Sequence, residues 1–425
     1  MRPASPVTDS AEIAKRIASL IGGDHVRAPR GAEARAAAVI AQPADPAETA
    51  ALVRMCEADA ISLAPLGAAR TLSEIRRAPA ALGVSLARMA RVIAYEPDDM
   101  TIVAQAGISV AQVNSAMAQS GQRMPVDPHE PELTSVGAMI AAHHAGPLRL
   151  SEGTARDLLI GIQFIGHGGA MIRSGGRVVK NVAGYDFMKL MNGSFGTLGI
   201  ITEAAFKVRP IPEFYALAIA SFDRAAGAFD VARSFANAAP LAHLEVTSPR
   251  MSVALGLAPT YWVLAGISGT RAEIDYLRGA IARASLAEVE FLAGDDARRM
   301  YCALRDCDFA DWAIGAQLVV PPAALAGVLE ACDAEFRAHA GSGIAQIITR
   351  EPPAPDAARA IVARWRELAR AARGHLRVLR AAPEIRDAIE FFDTPNHGAL
   401  ELMRAMKSAF DPVKIFNPGC FAGGI

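Results

Sequence analysis

The chain of 425 residues lacks an excess of charge of either sign: 43 lysines and arginines stand against 44 aspartates and glutamates. A net charge of −1 leaves no basic footprint for nucleic acid or an anionic membrane surface. Cysteine is scarce as well. The five (Cys56, Cys302, Cys307, Cys332, Cys420) are odd in number and include no C-x-x-C pair. That argues against a disulfide framework and against a self-contained iron–sulfur or zinc site; reduced thiols in a cytoplasmic protein are the simpler expectation. No basic stretch followed by an apolar core opens the chain, so no secretory signal is expected. A long unbroken apolar run is missing too. Met251 to Thr270 carries no charge, but Gly256, Pro259, Thr260 and Gly266 interrupt it. It reads as two buried strands joined at Ala258-Pro259-Thr260, not as a spanning helix.

What is present is apolar mass, 52% of the residues, which excludes global disorder. The length suggests two domains or one domain with a large insertion. Residues 1–44 read as an extension with a helix around Ala11–Ile21. Asp45-Pro46-Ala47-Glu48 then opens a helix: Asp45 caps, Pro46 suits the first position, and Glu48 can reach back. Strands follow at Ile61–Leu66, Val92–Tyr95 and Thr101–Ala106, with a helix from Ser109 to about Gln119. Leu158–Ile165 and Ala170–Arg173 form a hairpin around His167-Gly168-Gly169. Leu198–Val208 is a further strand, and Pro210 and Pro212 close the unit.

Residues 213–385 repeat strands and helices. Strands are expected at Phe214–Ser221, Leu244–Val246, Tyr261–Ile267, Leu318–Val320 and Ile344–Ile348. Helices are expected at Arg224–Asn237, after Thr270-x-x-Glu273, from Pro321, and from Asp356 with Ile361, Trp365, Leu368 and Ala372 on one face. Residues 386–425 read as a return segment. The whole is an α+β chain, a first domain at 45–212 and a second with an antiparallel sheet covered by helices.

Glycine and small polar residues concentrate in two stretches of the first domain. One is Thr134-Ser135-Val136-Gly137-Ala138-Met139-Ile140. The other runs Gly175-Gly176-Arg177-Val178-Val179-Lys180-Asn181-Val182-Ala183-Gly184-Tyr185-Asp186 and on through Gly193-Ser194-Phe195-Gly196-Thr197-Leu198-Gly199-Ile200-Ile201. Only glycine lets main-chain amides press against a flat, phosphate-bearing ligand without a Cβ intervening. Earlier, Pro65-Leu66-Gly67-Ala68-Ala69-Arg70-Thr71 follows a strand in the manner of a phosphate-holding turn. Adjacent His143 and His144 diverge by about 100° on a helix and do not chelate one metal together; one is expected buried near the ligand and the other exposed.

These stretches and their order resemble the FAD-linked oxidases of the vanillyl-alcohol oxidase/PCMH type, nearest to the FAD-binding subunits of bacterial glycolate oxidases. Asp411-Pro412-Val413-Lys414-Ile415-Phe416-Asn417-Pro418-Gly419 resembles the family's C-terminal signature. The resemblance implies a two-subdomain FAD-binding domain at 45–212, a cap at 213–385, and a return of 386–425 to the FAD domain. It implies cofactor contacts at Pro65, Gly67, Ala68, Arg70 and Thr71; at Thr134, Ser135, Val136 and Gly137; at Gly146, Gly153, Thr154 and Asp157; at Lys180 and Asn181; and at Gly199 and Ile201. The first turn has alanine where the family has glycine, costing about 1–2 kcal/mol at any left-handed position; Arg70 can compensate by contacting a phosphate. It also lacks a flavin-tethering histidine, so FAD is expected to be non-covalent.

The lactate-dehydrogenase-like members carry H-x-G-D-G-N-x-H and E-H-G-x-G stretches. Here the corresponding positions read His339-Ala340-Gly341-Ser342-Gly343-Ile344 and Asn396-His397-Gly398-Ala399, which leaves no metal set. No catalytic residue is assigned; His143 and His397 are the candidates, with His339 either an acid–base group or structural. The resemblance implies a FAD-binding subunit of a glycolate or 2-hydroxyacid oxidase complex. It would work with a second FAD subunit and an iron–sulfur subunit, in the cytoplasm or peripheral to the inner membrane through those partners. The alternatives are a stand-alone D-lactate-type dehydrogenase, a non-catalytic assembly subunit, and a peroxide-forming alcohol or alditol oxidase.

Overall fold

The computed structural model describes residues 9–67, 70–75, 78–176, 184–285, 287–307, 312–394 and 396–425. They divide into two compact units. One holds residues up to His144, Thr154–Pro210 and Thr394–Ile425; the other holds Ala145–Gly153 and Ile211–Asp393.

The first unit is built on two sheets. In the four-stranded sheet the order is Val26–Arg27, Ala37–Ala41, Ala80–Ser85, Leu63–Leu66. Its last three strands run parallel, with helix Pro46–Ala58 as the connection between Ala37–Ala41 and Leu63–Leu66. Asp45 caps that helix, its Oδ1 accepting from the Glu48 amide at 2.8 Å. Glu48 reaches back as well, to the amide of Ala44. Helix Ser10–Ile21 packs alongside through Ile13, Ile17 and Ile21, spaced four apart on one buried face. Val26–Arg27 and Ala37–Ala41, within the expected extension, are thus strands of this sheet.

The second sheet has five strands, ordered Val92–Glu96, Thr101–Gln105, Ile200–Lys207, Leu159–Ile165, Met171–Gly175, all antiparallel. The hairpin around His167–Gly169 is present, with Gly168 at φ 68° and Gly169 at φ 67°. One continuous apolar core joins both sheets, from Ile13 to Phe416.

In the second unit, eight antiparallel strands form one sheet. The order is Glu290–Ala293, Phe214–Phe222, Tyr261–Gly269, His243–Thr247, Glu335–His339, Ile344–Thr349, Ile314–Val319, His375–Ala381. Each half repeats strand, helix, two strands, helix, strand, the split βαβ arrangement. The halves join where the second strand of one pairs with the second strand of the other, Glu245 opposite His339 and Thr247 opposite Arg337. Three sequence expectations need correction here. The first half of Met251–Thr270 is a helix, Pro249–Ala254, because Ser248-Pro249 starts one as readily as it ends a strand. The helix expected to be capped by Asp356 begins at Pro355 with Ala354 before it. Its buried face is accordingly Ala358, Val362, Trp365 and Ala369. The α+β class and the antiparallel second sheet are as expected.

Candidate functional site

The site is assembled in the first unit around a short helix, Val136–Ala141. Ser135 caps it, its hydroxyl oxygen accepting from the Ala138 amide at 3.3 Å. The start of the helix is held against the turn after strand Thr101–Gln105: the amide of Val136 donates to Ile108 O at 2.9 Å and that of Gly137 to Ala106 O at 2.8 Å. A Cβ on Gly137 would lie 3.1 Å from the Ala106 Cβ, so glycine permits this approach. At the other end, Ile140 O accepts from the Gly193 amide at 3.0 Å and Ala141 O from the Phe195 amide at 2.8 Å. The loop entering strand Ile200–Lys207 is thereby fixed to the helix terminus. Gly196 at φ 68° and Gly199 at φ 151° take backbone conformations that favour glycine.

Strand Leu63–Leu66 brings the third wall. A Cβ on Gly67 would stand 2.7 Å from the Ala138 Cβ and 3.1 Å from Ser135 Oγ. The strand end therefore rests directly on the helix start. Between these walls lies a cleft enclosing about 1100 Å³ of atom-free space, its open mouth included. Much of its lining is apolar, with Leu66, Leu72, Leu86, Leu133, Phe195 and Ile200; Thr134, Ser135, His129, Glu130 and His144 supply polar groups. His129 Nε2 stands 3.4 Å from Glu130 Oε2, and Thr134 Oγ1 donates to His129 O at 2.7 Å.

The cleft gathers Pro65, Gly67, Thr134, Ser135, Gly137, Gly199 and Ile201 from the expected residues. Val136 is wholly buried behind it. Two of the amides expected to face a diphosphate, those of Val136 and Gly137, are engaged by carbonyls. The Ser135 hydroxyl hydrogen remains available to donate. Thr154 and Asp157 form the reciprocal cap of helix Ala155–Leu158, Thr154 N and Oγ1 donating to Asp157 Oδ2 at 2.8 and 2.9 Å. Gly146 and Gly153 belong to the other unit. Ala68, Lys180 and Asn181 lie outside the described residues, and Arg70 and Thr71 begin helix Arg70–Ile75.

Neither candidate histidine is brought to the cleft lining. His143 is half-buried with its Nδ1 against Asn192 Oδ1, and His397 opens helix His397–Phe410 with its side chain 88% exposed. His339 is buried, its Nδ1 2.6 Å from Glu245 Oε1 inside the second unit's sheet. The sequence assigned no contact to His129 or Glu130 and quoted Phe195 only within its glycine stretch; of the histidine pair, it is His144 that lines the cleft. The signal for the first two was the run His129-Glu130-Pro131 just ahead of Thr134. Among the described residues no group of three or more His, Cys, Asp or Glu is placed to hold a metal ion, and no helix is long and apolar enough to cross a membrane.

A groove of close-packed backbone with an apolar lining and hydroxyls at one helix end suits a flat ring system linked to a diphosphate. Residues 37–175 match the FAD binding domain, and residues 387–420 match the C-terminal domain of FAD linked oxidases. The chain is 40% identical over 122 residues to the glycolate oxidase subunit GlcE of Escherichia coli, covering 28% of this chain and 35% of that one. It is 30% identical over 195 residues to the mitochondrial D-lactate dehydrogenase (cytochrome) of Arabidopsis thaliana, covering 46% and 34%. These matches span about a third of each relative's length. A substrate-bound p-cresol methylhydroxylase has the same fold, with a TM-score of 0.70 at 14% identity over 98% of this chain and 97% of that one. The chain carries matches to the FAD binding domain and to the C-terminal domain of FAD linked oxidases, has the vanillyl-alcohol oxidase/PCMH-type fold, and takes FAD as its cofactor.

Proposed function

We propose that the chain is the FAD-binding subunit of a glycolate or related 2-hydroxyacid oxidase complex, passing electrons from 2-hydroxyacid oxidation to a partner. The observation that carries this reading is the glycine-walled cleft: backbone from Pro65–Gly67, Ser135–Gly137 and Gly196–Ile201 converges on one groove. When bound there, FAD supplies the acceptor for the hydride of a hydroxyacid carbon. The protein's part would be to offer the ring the apolar lining of Leu66, Phe195 and Ile200, to offer the Ser135 hydroxyl to the diphosphate, and to exclude water. Ala68, Arg70, Thr71, Lys180 and Asn181 belong to the same proposed contact set, as do Val136, Gly146, Gly153, Thr154 and Asp157.

The proposed dependence on a complex is supported by where the candidate histidines stand. His339 is tied to Glu245 within a sheet, and His397 stands in solvent. Neither stands beside this cleft, whose lining carries His129, Glu130 and His144 instead; a partner subunit is the proposed source of the rest of the acid–base set. A second FAD subunit and an iron–sulfur subunit are the proposed partners, in the cytoplasm or at the inner membrane through them. A stand-alone D-lactate-type dehydrogenase is the second reading, favoured by the 30% identity to the plant D-lactate dehydrogenase.

One experiment separates them. The purified chain is loaded with FAD and mixed anaerobically with glycolate or D-lactate while the visible flavin band is followed. A subunit keeps its oxidised spectrum alone and is bleached only with its partners. Rapid bleaching and dye-linked turnover by the isolated chain would establish the stand-alone enzyme instead.

A further inference from the structure

The cleft has a fourth component that is remote in sequence. The segment Ile415–Asn417 lies alongside strand Leu63–Leu66: the Leu63 amide donates to Ile415 O and the Asn417 amide to Leu63 O, both at 2.8 Å. Phe416 pairs in parallel with Leu63 and is fully buried. The segment therefore extends the edge of the first sheet. Its side chains reach the opposite wall. Asn417 Nδ2 donates to Phe195 O at 2.7 Å, and Lys407 Nζ donates to Thr197 O at 2.7 Å.

The ammonium of Lys407 also donates to Asp411 Oδ2 and Phe416 O, each at 2.6 Å. All three of its N–H groups thus have acceptors. Asp411, itself fully buried, accepts from the Ile415 and Phe416 amides at 2.9 Å. Phe195 and Gly196 line the cleft on one side and Pro65 on the other. A Cβ on Gly196 would be 3.0 Å from Pro65 Cγ and 3.1 Å from Asn417 Nδ2. The walls touch at the point where Asn417 crosses between them.

We propose that Lys407, Asp411 and Asn417 act as positioning residues: a latch that sets the separation of the two cleft walls and thereby the affinity for FAD. Buried, charge-assisted hydrogen bonds to carbonyls of the loop hold that loop in one place. The inference rests on FAD occupying this cleft, and titration of the wild-type chain tests that premise separately.

The test uses the full chain stripped of FAD. Asn417 sits at φ 42°, so Asn417→Gly keeps the backbone and removes only the side-chain bond. Lys407→Met removes the ammonium and keeps most of the stem. Ile17→Ala, in the buried face of helix Ser10–Ile21 and outside the cleft lining, is the destabilised control. FAD dissociation constants, the fine structure of the bound flavin's visible band and the thermal midpoint of the FAD-free protein are read for each. Both latch variants should weaken FAD binding about tenfold or more and blur the band. The control should lose at least as much thermal stability yet keep its FAD constant within about threefold. Wild-type affinity in Asn417→Gly, or an equal loss of affinity in Ile17→Ala, would overturn the latch. A wild-type chain that takes up no FAD would overturn the premise instead.

Discussion

Gly67→Ala is the sharpest single perturbation of the cleft. The added Cβ would stand 2.7 Å from the Ala138 Cβ, whereas carbon atoms rest at about 3.5–4.0 Å. The strand end and the helix start must therefore part by about 1 Å. Overpacking of this size costs about 1–3 kcal/mol, and it widens the junction between two walls of the proposed FAD site. Ala138→Gly, inside a six-residue helix, costs about 0.5–1 kcal/mol alone. It also removes the atom that collides. The double variant should then be close to Ala138→Gly in stability, a coupling of about 1 kcal/mol or more. Urea unfolding of the FAD-free chain gives the stabilities, and quenching of flavin fluorescence gives the dissociation constants. Gly67→Ala should bind FAD about tenfold more weakly, with recovery in the double variant. Additive effects in the cycle, or wild-type FAD affinity in Gly67→Ala, would refute the close approach as the basis of the site.

Two further predictions concern the second unit. A Cβ on Gly266 would lie 2.4 Å from His243 Cδ2 and Nε2, so Gly266→Ala must push the ring off Tyr215 OH, which lies 2.8 Å from Nε2. The expected cost is about 1–3 kcal/mol in urea unfolding; an unchanged midpoint would mean that the ring moves freely. Burial pulls the His243 imidazole down from 6.5 to about 4, against the charge of Glu245, which raises it. Because the folded state resists the proton that the unfolded chain accepts, stability is full above 6.5 and falls as the pH drops toward 4. Between pH 8 and pH 5 the loss from this group is about 2 kcal/mol. His243→Asn should flatten that part of the profile, and an unaltered slope would assign the pH dependence to other groups.

Much of the architecture was legible because local chemistry and tertiary structure agree. Asp45 and Thr270 cap the helices their spacing announced, with Glu48 and Glu273 three residues on. The glycine stretches around Gly137 and Gly199 were legible too, since each glycine occupies a close approach or an unusual φ. Strands Ala37–Ala41 and Ala80–Ser85 were not. They are alanine-rich and largely buried, with no alternation to mark them. The helix Pro355–Ala371 was placed correctly but its buried face was rotated, because Asp356 looked like a cap and sits instead in the first turn.

The proposed cofactor site shows a deeper reason why part of it escaped the sequence. Lys407 and Asp411 are four apart at a helix end and look like a surface pair of the ordinary kind. Only the fold reveals that Lys407 is 7% exposed and Asp411 fully buried. The partners of Lys407 at Thr197 and Phe416 are backbone carbonyls, and those of Asp411 at Ile415 and Phe416 are backbone amides, none of which carries a side-chain signature. Motif reading finds residues whose type is dictated by a close approach of backbone, as glycine is at Gly67 or Gly137. It misses Lys407, whose type is dictated by a carbonyl 210 positions away, and it finds Asn417 within the Asp411–Gly419 signature without the partner 222 positions away. Cleft geometry depends on both kinds. A relative that kept every glycine but lost the lysine would retain the family's motifs and should still hold FAD loosely.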